Sequence, residues 1–324
     1  MKLLTLRTKD PYLNLAIEEY LFLNSTEDIF MLWQNEPTVV IGKNQNAFAE
    51  IDMAYIEKNN IHIARRITGG GAVYHDIGNL NYSYISSSNG DKTLDFEYFT
   101  RPIIEVLGTL GIKAYLSGRN DILADGKKFS GSAQYSFGGR TLHHGTLLFD
   151  SDFTVLSSVL KVDEEKIISK GIKSVRSRVI NLKELMPLER TIDEFLALLE
   201  DYFLSVYGAE RISQPIADDI TRLRDRNASK EWLFPDRAIV SNYTSVKKKR
   251  YDFGTVRVSL EMSNEIIKDI SIQGDFFGVE DICVLENLLN GKSIRDIDTL
   301  IEQIDIDKYI FGATSEEIVE LIKE

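Results

Sequence analysis

Between Ile29 and Phe149 the chain passes through one strand-length apolar run after another, and most are not separated by a helix. Ile29–Trp33 and Thr38–Ile41 flank a turn holding Asn35 and Pro37, and a strand at 61–65 follows. Alternating Leu80, Tyr82 and Tyr84 mark the next strand, then come 112–116, Asp121–Ala124, Lys127–Phe137 and 141–149. A parallel, doubly wound sheet needs a crossover of about a dozen or more residues between its strands. That spacing is missing here, so the pattern specifies an α+β fold with a mixed, largely antiparallel sheet.

Helices enter at few places. Asp10-Pro11 reads as an N-cap with proline at the first helical position, ahead of Leu13, Ala16, Ile17, Tyr20 and Leu21. A short helix fits 52–58. Phe96, Phe99, Ile103, Val106, Leu107 and Leu110 recur at helical spacing and stop at Gly111. Another helix fits 191–207. At 324 residues, against roughly 150 per domain, the chain has room for two domains. The pattern changes at 229–250, to a tryptophan-containing linker and the basic run Lys247-Lys248-Lys249-Arg250, read as a solvated turn. Two strands at 251–260 and 265–273 then precede helices from Val279 onward. The expected division is a large domain over 1–245 and a small α+β accessory domain over 246–324.

Charge narrows the partners. Thirty-eight Lys and Arg against 50 Asp and Glu leave −12, the wrong sign for general nucleic-acid binding. Any anion must be met by a local patch. One candidate is the run of Lys170, Lys173, Arg176 and Arg178 and another is 247–250. No run approaches the ~18 apolar residues of a membrane span, and charge interrupts the first ten residues too early for a signal peptide. A single cysteine, Cys283, cannot close an internal disulfide, which fits a reducing, cytoplasmic setting.

Four segments can carry chemistry. Arg65-Arg66-Ile67-Thr68-Gly69-Gly70-Gly71-Ala72-Val73-Tyr74-His75-Asp76 sets two fixed cations before three residues without Cβ atoms. Backbone N–H groups there can approach a phosphate or carboxylate closely, although a flexible hairpin would use the same glycines. The spacing matches neither a Walker loop nor a dinucleotide fingerprint. Gly126-Lys127-Lys128-Phe129-Ser130-Gly131-Ser132-Ala133 places two lysines on a strand, where only one can face a site. His143 and His144, adjacent in a strand, also face opposite ways; one lines a pocket while the other is satisfied by hydrogen bonds. The segment from Lys170 to Leu182 is basic and poor in packing residues, suited to a loop that closes over an anion.

Together these segments, with Ser117-Gly118-Arg119-Asn120-Asp121, His143-His144-Gly145-Thr146 and the first-helix run Asn14-Leu15-Ala16-Ile17-Glu18-Glu19, resemble lipoate–protein ligase of the two-domain type. The resemblance spans the chain almost end to end and is loosest over the last 70 or so residues. It implies a large domain of the biotin- and lipoate-ligase fold and a two-step reaction. The lipoate carboxylate attacks the α-phosphate of ATP, giving lipoyl-AMP and pyrophosphate; a lysine of an acceptor lipoyl domain then takes the acyl group. In the roles so implied, Lys128 bridges carboxyl oxygen and α-phosphate. Arg66, Gly71, Ala72, Val73, Tyr74, Asp121, Ser174 and Arg176 hold ATP or the adenylate. Arg65, Gly70, His75, Ser132, Ala133 and His144 lie beside the lipoate, and Asp121 touches Mg²⁺ brought in with ATP. The implied acceptors are lipoyl domains of 2-oxoacid dehydrogenase E2 subunits or the glycine-cleavage H protein, met by a monomer without nucleic acid or membrane. A carrier-to-carrier octanoyl or lipoyl transferase would need a nucleophilic cysteine, and Cys283 sits instead in an apolar helical pattern. A binder of free lipoate would not need Arg66, Lys128 and the basic loop, and a biotin ligase would carry a Gly-Arg-Gly-Arg stretch that this chain lacks.

Overall fold

The computed structural model describes residues 1–87, 94–161, 178–235 and 243–323. Its strands are β1 (Lys2–Thr5), β2 (Ile29–Trp33), β3 (Thr38–Ile41), β4 (His62–Arg65), β5 (Val73–His75), β6 (Asn79–Ser87), β7 (Ala114–Ser117), β8 (Asp121–Ala124), β9 (Lys127–Phe137), β10 (Arg140–Leu148), β11 (Glu210–Arg211), β12 (Ser245–Tyr251), β13 (Gly254–Ser263) and β14 (Ile266–Gly274). The longer helices are α1 (Pro11–Asn24), α2 (Phe96–Thr109), α3 (Ile192–Ser205), α4 (Asp218–Ala228), α5 (Ile282–Leu289) and α6 (Ser315–Lys323).

An eight-stranded sheet in the order β11-β1-β2-β6-β10-β9-β8-β7 forms the frame. Only β1–β2 and β1–β11 pair in parallel; the remaining pairs are antiparallel, so the sheet is mixed and largely antiparallel. Alternation along β2 explains how both faces are covered. Phe30 and Leu32 pack with Phe99, Ile103, Phe195 and Phe203 from α2 and α3. Met31 and Trp33 pack with Leu15, Ile17, Leu21 and Ile220 from α1 and α4. Helix α1 starts where its residues dictate: the Asp10 carboxylate accepts from Tyr12 and Leu13 N–H, and Pro11 occupies the first turn. A second sheet, β4-β3-β5, lies beside the frame and leaves β5 with one open edge.

The small domain has its own sheet, β12-β13-β14, and its own core of Val256, Val258, Leu260, Ile270, Leu285, Ile301, Ile318 and others. Here the expectation needs correcting. The basic run is not a turn but the body of β12, because alternate residues find partners on α6. Lys247 donates to the Ile322 carbonyl at 2.8 Å, and Lys249 pairs with Glu320 at 2.7 Å. Strand β1 and helix α4 also lie where no element was expected. The small domain reaches the large one through a few contacts. Lys43 pairs with Asp281 at 2.8 Å, and Gly70 N–H donates to the Phe276 carbonyl at 3.2 Å.

Candidate active site

One pocket, of about 140 Å³, opens where β4, β5, β9, β10 and α1 converge. Leu15, Trp33, Val40 and Val73 give it apolar walls; Arg66, His75, Asn120, Lys128, Ser132 and His144 give it polar ones. Gly70, Gly71, Ala72 and Ala133 complete the expected residues that reach it.

The two arginines separate. Arg66 lines the pocket, but most of its donors hold the glycine loop in shape: Nη2 donates to Gly69 O and Gly71 O at 2.8 Å, and Nε to Thr68 Oγ1 at 3.0 Å. Nη1 donates once, to Val40 O at 3.1 Å, so its second hydrogen remains for a ligand. Burial lowers the guanidinium to about 10, with the Glu18 charge opposing, and it stays a cation at neutral pH. Arg65, expected at the acyl end, turns the other way. Its guanidinium donates to the carbonyls of Gly42, Lys43, Gln45, Trp232 and Leu233 at 2.8–3.0 Å, so it is spent on the scaffold. Tyr74 also points away from the pocket, into a cluster with Val39, Ile41 and Ile56.

The glycine loop meets the small domain. A Cβ on Gly69 would stand 2.4 Å from the Phe276 carbonyl oxygen, a contact that only glycine permits. Phe277 lies against Phe96, with ring centroids 5.4 Å apart, and against the Arg119 guanidinium at 4.6 Å. Only Gly71 of the triplet has room for a Cβ, which would rest in ordinary contact with Asp275 at 3.8 Å.

His75 is held in one tautomer. Asn14 Nδ2 donates to Asn35 Oδ1 at 2.9 Å, which orients Asn35 so that its own Nδ2 donates to His75 Nδ1 at 3.1 Å. The proton therefore sits on Nε2, which is buried and has no partner among the described residues. Burial, then Arg66 and His144, push the ring down to about 3, so it is a neutral imidazole in the pocket wall. His144 joins a second chain of bonds. Its Nδ1 donates to Glu18 at 2.9 Å, its Nε2 meets Thr68 Oγ1 at 2.9 Å, and Glu18 also accepts from Ser83 at 2.5 Å. His143 faces the other way, between Gln134 at 2.8 Å and Tyr82 at 3.2 Å, and burial holds it neutral too.

The two histidines that burial holds neutral, His75 and His143, make stability depend on pH. Unfolded, each titrates near 6.5, so below that pH the unfolded chain binds the extra protons. Their contribution is fully present above about 6.5, and each costs about 1.4 kcal/mol for every unit the pH falls below it. Urea unfolding between pH 6.5 and 5 should show this slope, and His75→Gln should remove about half of it. An unchanged slope in that variant would mean that His75 is protonated in the fold.

On β9, Lys128 faces the pocket and its ammonium lies 2.7 Å from Asp121 Oδ1. Lys127 lies in a separate cleft with Ser151, Asp152 and Asn181. Ser174 and Arg176 fall outside the described residues. The end of that basic segment is held at the lysine itself: Lys128 N–H donates to Arg178 O at 2.8 Å, and Ile180 N–H to Lys128 O at 2.9 Å. Among the described residues no three His, Cys, Asp or Glu side chains gather as a metal site. Cys283 is half-buried on α5 of the small domain, away from the pocket. Glu18, Asn35 and Thr68 were given no role at the site, whereas Gly131 belongs to the strand 130–133 expected beside the acyl end. The one available signal was Glu18, a charge within the apolar stripe of α1.

The chain matches the model of the lipoyl protein ligase A/B catalytic domain over residues 10–204 and that of the bacterial lipoate protein ligase C-terminus over 241–322. It is 40 % identical to lipoate-protein ligase LplJ of Bacillus subtilis, with 97 % of each chain covered. Among solved structures, LipL1 of P. falciparum in complex with lipoate superposes with a TM-score of 0.81 at 25 % identity, covering 100 % of this chain and 99 % of that one. A bi-partite lipoate protein ligase of Thermoplasma acidophilum, described with its E2 lipoyl domain, gives 0.65 at 31 % identity, over 75 % and 98 %. Lipoate-protein ligase A bound with ATP gives 0.61 at 31 %, over 71 % and 97 %. Full-length likeness in sequence, both domain models and the shared fold agree with the pocket's mixture of apolar walls and fixed cations: the chain belongs to the lipoate–protein ligase family.

Proposed function

We propose that this enzyme activates lipoate with ATP in the pocket between β5, β9 and β10, and passes the lipoyl group to a lysine of an acceptor lipoyl domain. The observation that carries this reading is the meeting of Lys128, Arg66 and the His75 Nε2–H donor on one pocket whose other walls are apolar. An acyl chain suits Leu15, Trp33, Val40 and Val73, where removal from water favours it. Its carboxylate meets the His75 donor. A carboxylate and a triphosphate repel, so attack on the α-phosphate needs a cation between them, and Lys128 supplies it as a point charge. Gly71, Ala72 and the open edge of β5 offer backbone N–H groups to the nucleotide. In the second step the acceptor amine attacks the acyl carbon and AMP leaves.

Magnesium enters with ATP, whose phosphates supply most of its ligands, and one or two carboxylates suffice on the protein side. Asp121, the carboxylate expected for it, is engaged by the Lys128 ammonium at 2.7 Å instead. Acceptors are E2 lipoyl domains or the glycine-cleavage H protein, met by a cytoplasmic monomer through a local basic surface. No helix among the described residues is long and apolar enough to cross a membrane. The test is lipoate-dependent exchange of pyrophosphate into ATP without acceptor. Exchange establishes adenylation; its absence, with an apo lipoyl domain also failing to elicit AMP release, overturns the proposal.

A further inference from the structure

We infer that Asp121 and Gly131 are positioning residues for Lys128, a carboxylate and a missing Cβ that together hold the ammonium at one point over β9. The inference rests on the adenylation reading above and deepens it. Three observations lead there.

The first is a break in the strand's alternation. In the pairing of β8 with β9, Leu123 stands opposite Lys128 but Ile122 stands opposite Ser130, so Phe129 is an extra residue. Such a bulge re-aims a side chain and raises the local twist. Phe129 goes fully into the core. Lys128 and Gly131, three apart and on opposite faces of a regular strand, come to the same side.

The second is what lies over Gly131. A Cβ built there would be 2.9 Å from Lys128 Nζ, 3.1 Å from its Cε and 3.7 Å from Asp121 Oδ1. Gly131 has no positive φ, so its backbone does not demand glycine. The space above it is taken by the tip of the lysine, which a Cβ would push aside. Asp121 is Gly131's partner in the register, which puts the carboxylate beside that tip.

The third is the clamp on the lysine's own backbone, whose N–H and C=O are both bonded by the edge segment at Arg178 and Ile180. With main chain, stem and tip all held, the side chain has lost most of the rotamer freedom that makes lysine hard to aim. An ion pair about one-third exposed adds little to stability. Its value is orientation, since misplacing a reacting group by about 1 Å can cost on the order of a hundredfold in rate.

The test uses the full chain in lipoate-dependent pyrophosphate exchange, comparing wild type with Asp121→Asn, Gly131→Ala and the double variant. Gly131→Ala displaces only the flexible tip of a lysine, so the fold should hold. Each single variant should lose about 10- to 100-fold in kcat, with KM for lipoate within about threefold and the Mg²⁺ concentration at half-maximal rate unchanged. Because both residues act through one ammonium, the double variant should fall no further than the worse single. Losses that multiply in the double variant would overturn the inference, as would a Gly131→Ala enzyme of wild-type rate. Recovery of Asp121→Asn at raised Mg²⁺ would make Asp121 a metal ligand instead. A KM that rises in step with the fall in kcat would reduce both to packing residues. Absence of exchange in the wild type would strike the adenylation reading itself.

Discussion

Replacing Lys128 with alanine should reduce lipoate-dependent exchange of pyrophosphate into ATP by at least about a thousandfold, the scale of losing a preorganised charge at a developing anion. The melting temperature should barely move. Among the described residues the one ion pair lost is that with Asp121, about a third exposed at both ends and so worth under about 1 kcal/mol. Lys127→Ala is the built-in control. It carries the same charge change one residue away, in a cleft that faces Ser151 and Asp152, and should leave exchange near normal. Equal losses in the two variants would mean that net charge near β9, not an aimed ammonium, drives the step.

Replacing Arg65 with alanine should do the opposite, costing stability and sparing chemistry. Its guanidinium is 3 % exposed and satisfies five carbonyls from two stretches of chain far apart in sequence. Removing it strands those acceptors out of water, where each orphan costs about 1–3 kcal/mol before relaxation. A net loss of about 3–5 kcal/mol follows, the range for taking one partner out of a buried charged network. Lysine should rescue little, since one ammonium cannot reach five carbonyls fixed around a planar fork. Urea unfolding measures the loss, and exchange per folded molecule should stay within a few-fold of wild type. A stable Arg65→Ala protein with a raised KM for lipoate would return Arg65 to the binding site.

The pair Arg65–Arg66 shows where reading the chain alone succeeds and where it stops. Two adjacent arginines before three glycines are visible as chemistry, and the strand period says that they face opposite ways. Which one faces the ligand depends on Trp232 and Leu233, about 167 residues away, whose carbonyls take Arg65. The succession of strands was legible through the apolar runs, but their order in the sheet was not, although Asp125-Gly126 and Gly138-Gly139 are the turn pairs that close β8–β9 and β9–β10. The basic run at 247–250 was not, because lysines read as solvent until a helix end such as Ile322 O and Glu320 is brought beside them. Nor was the extra residue at Phe129, since a bulge leaves no mark in composition. Lys128 stood out by its motif, while its direction came from a pairing slip that only the folded sheet reveals.

The two large hydrophobic cores share no residue, and a seam of its own joins the parts: Phe96 and Ala133 pack with Phe277 beside the Arg119 guanidinium, Gly70 N–H donates to Phe276 O, Gly274 N–H to Asn44 O, and Lys43 pairs with Asp281. The seam thus has apolar, backbone and charged contacts of its own. The glycine triplet acts as a receptor for the Phe276–Phe277 segment.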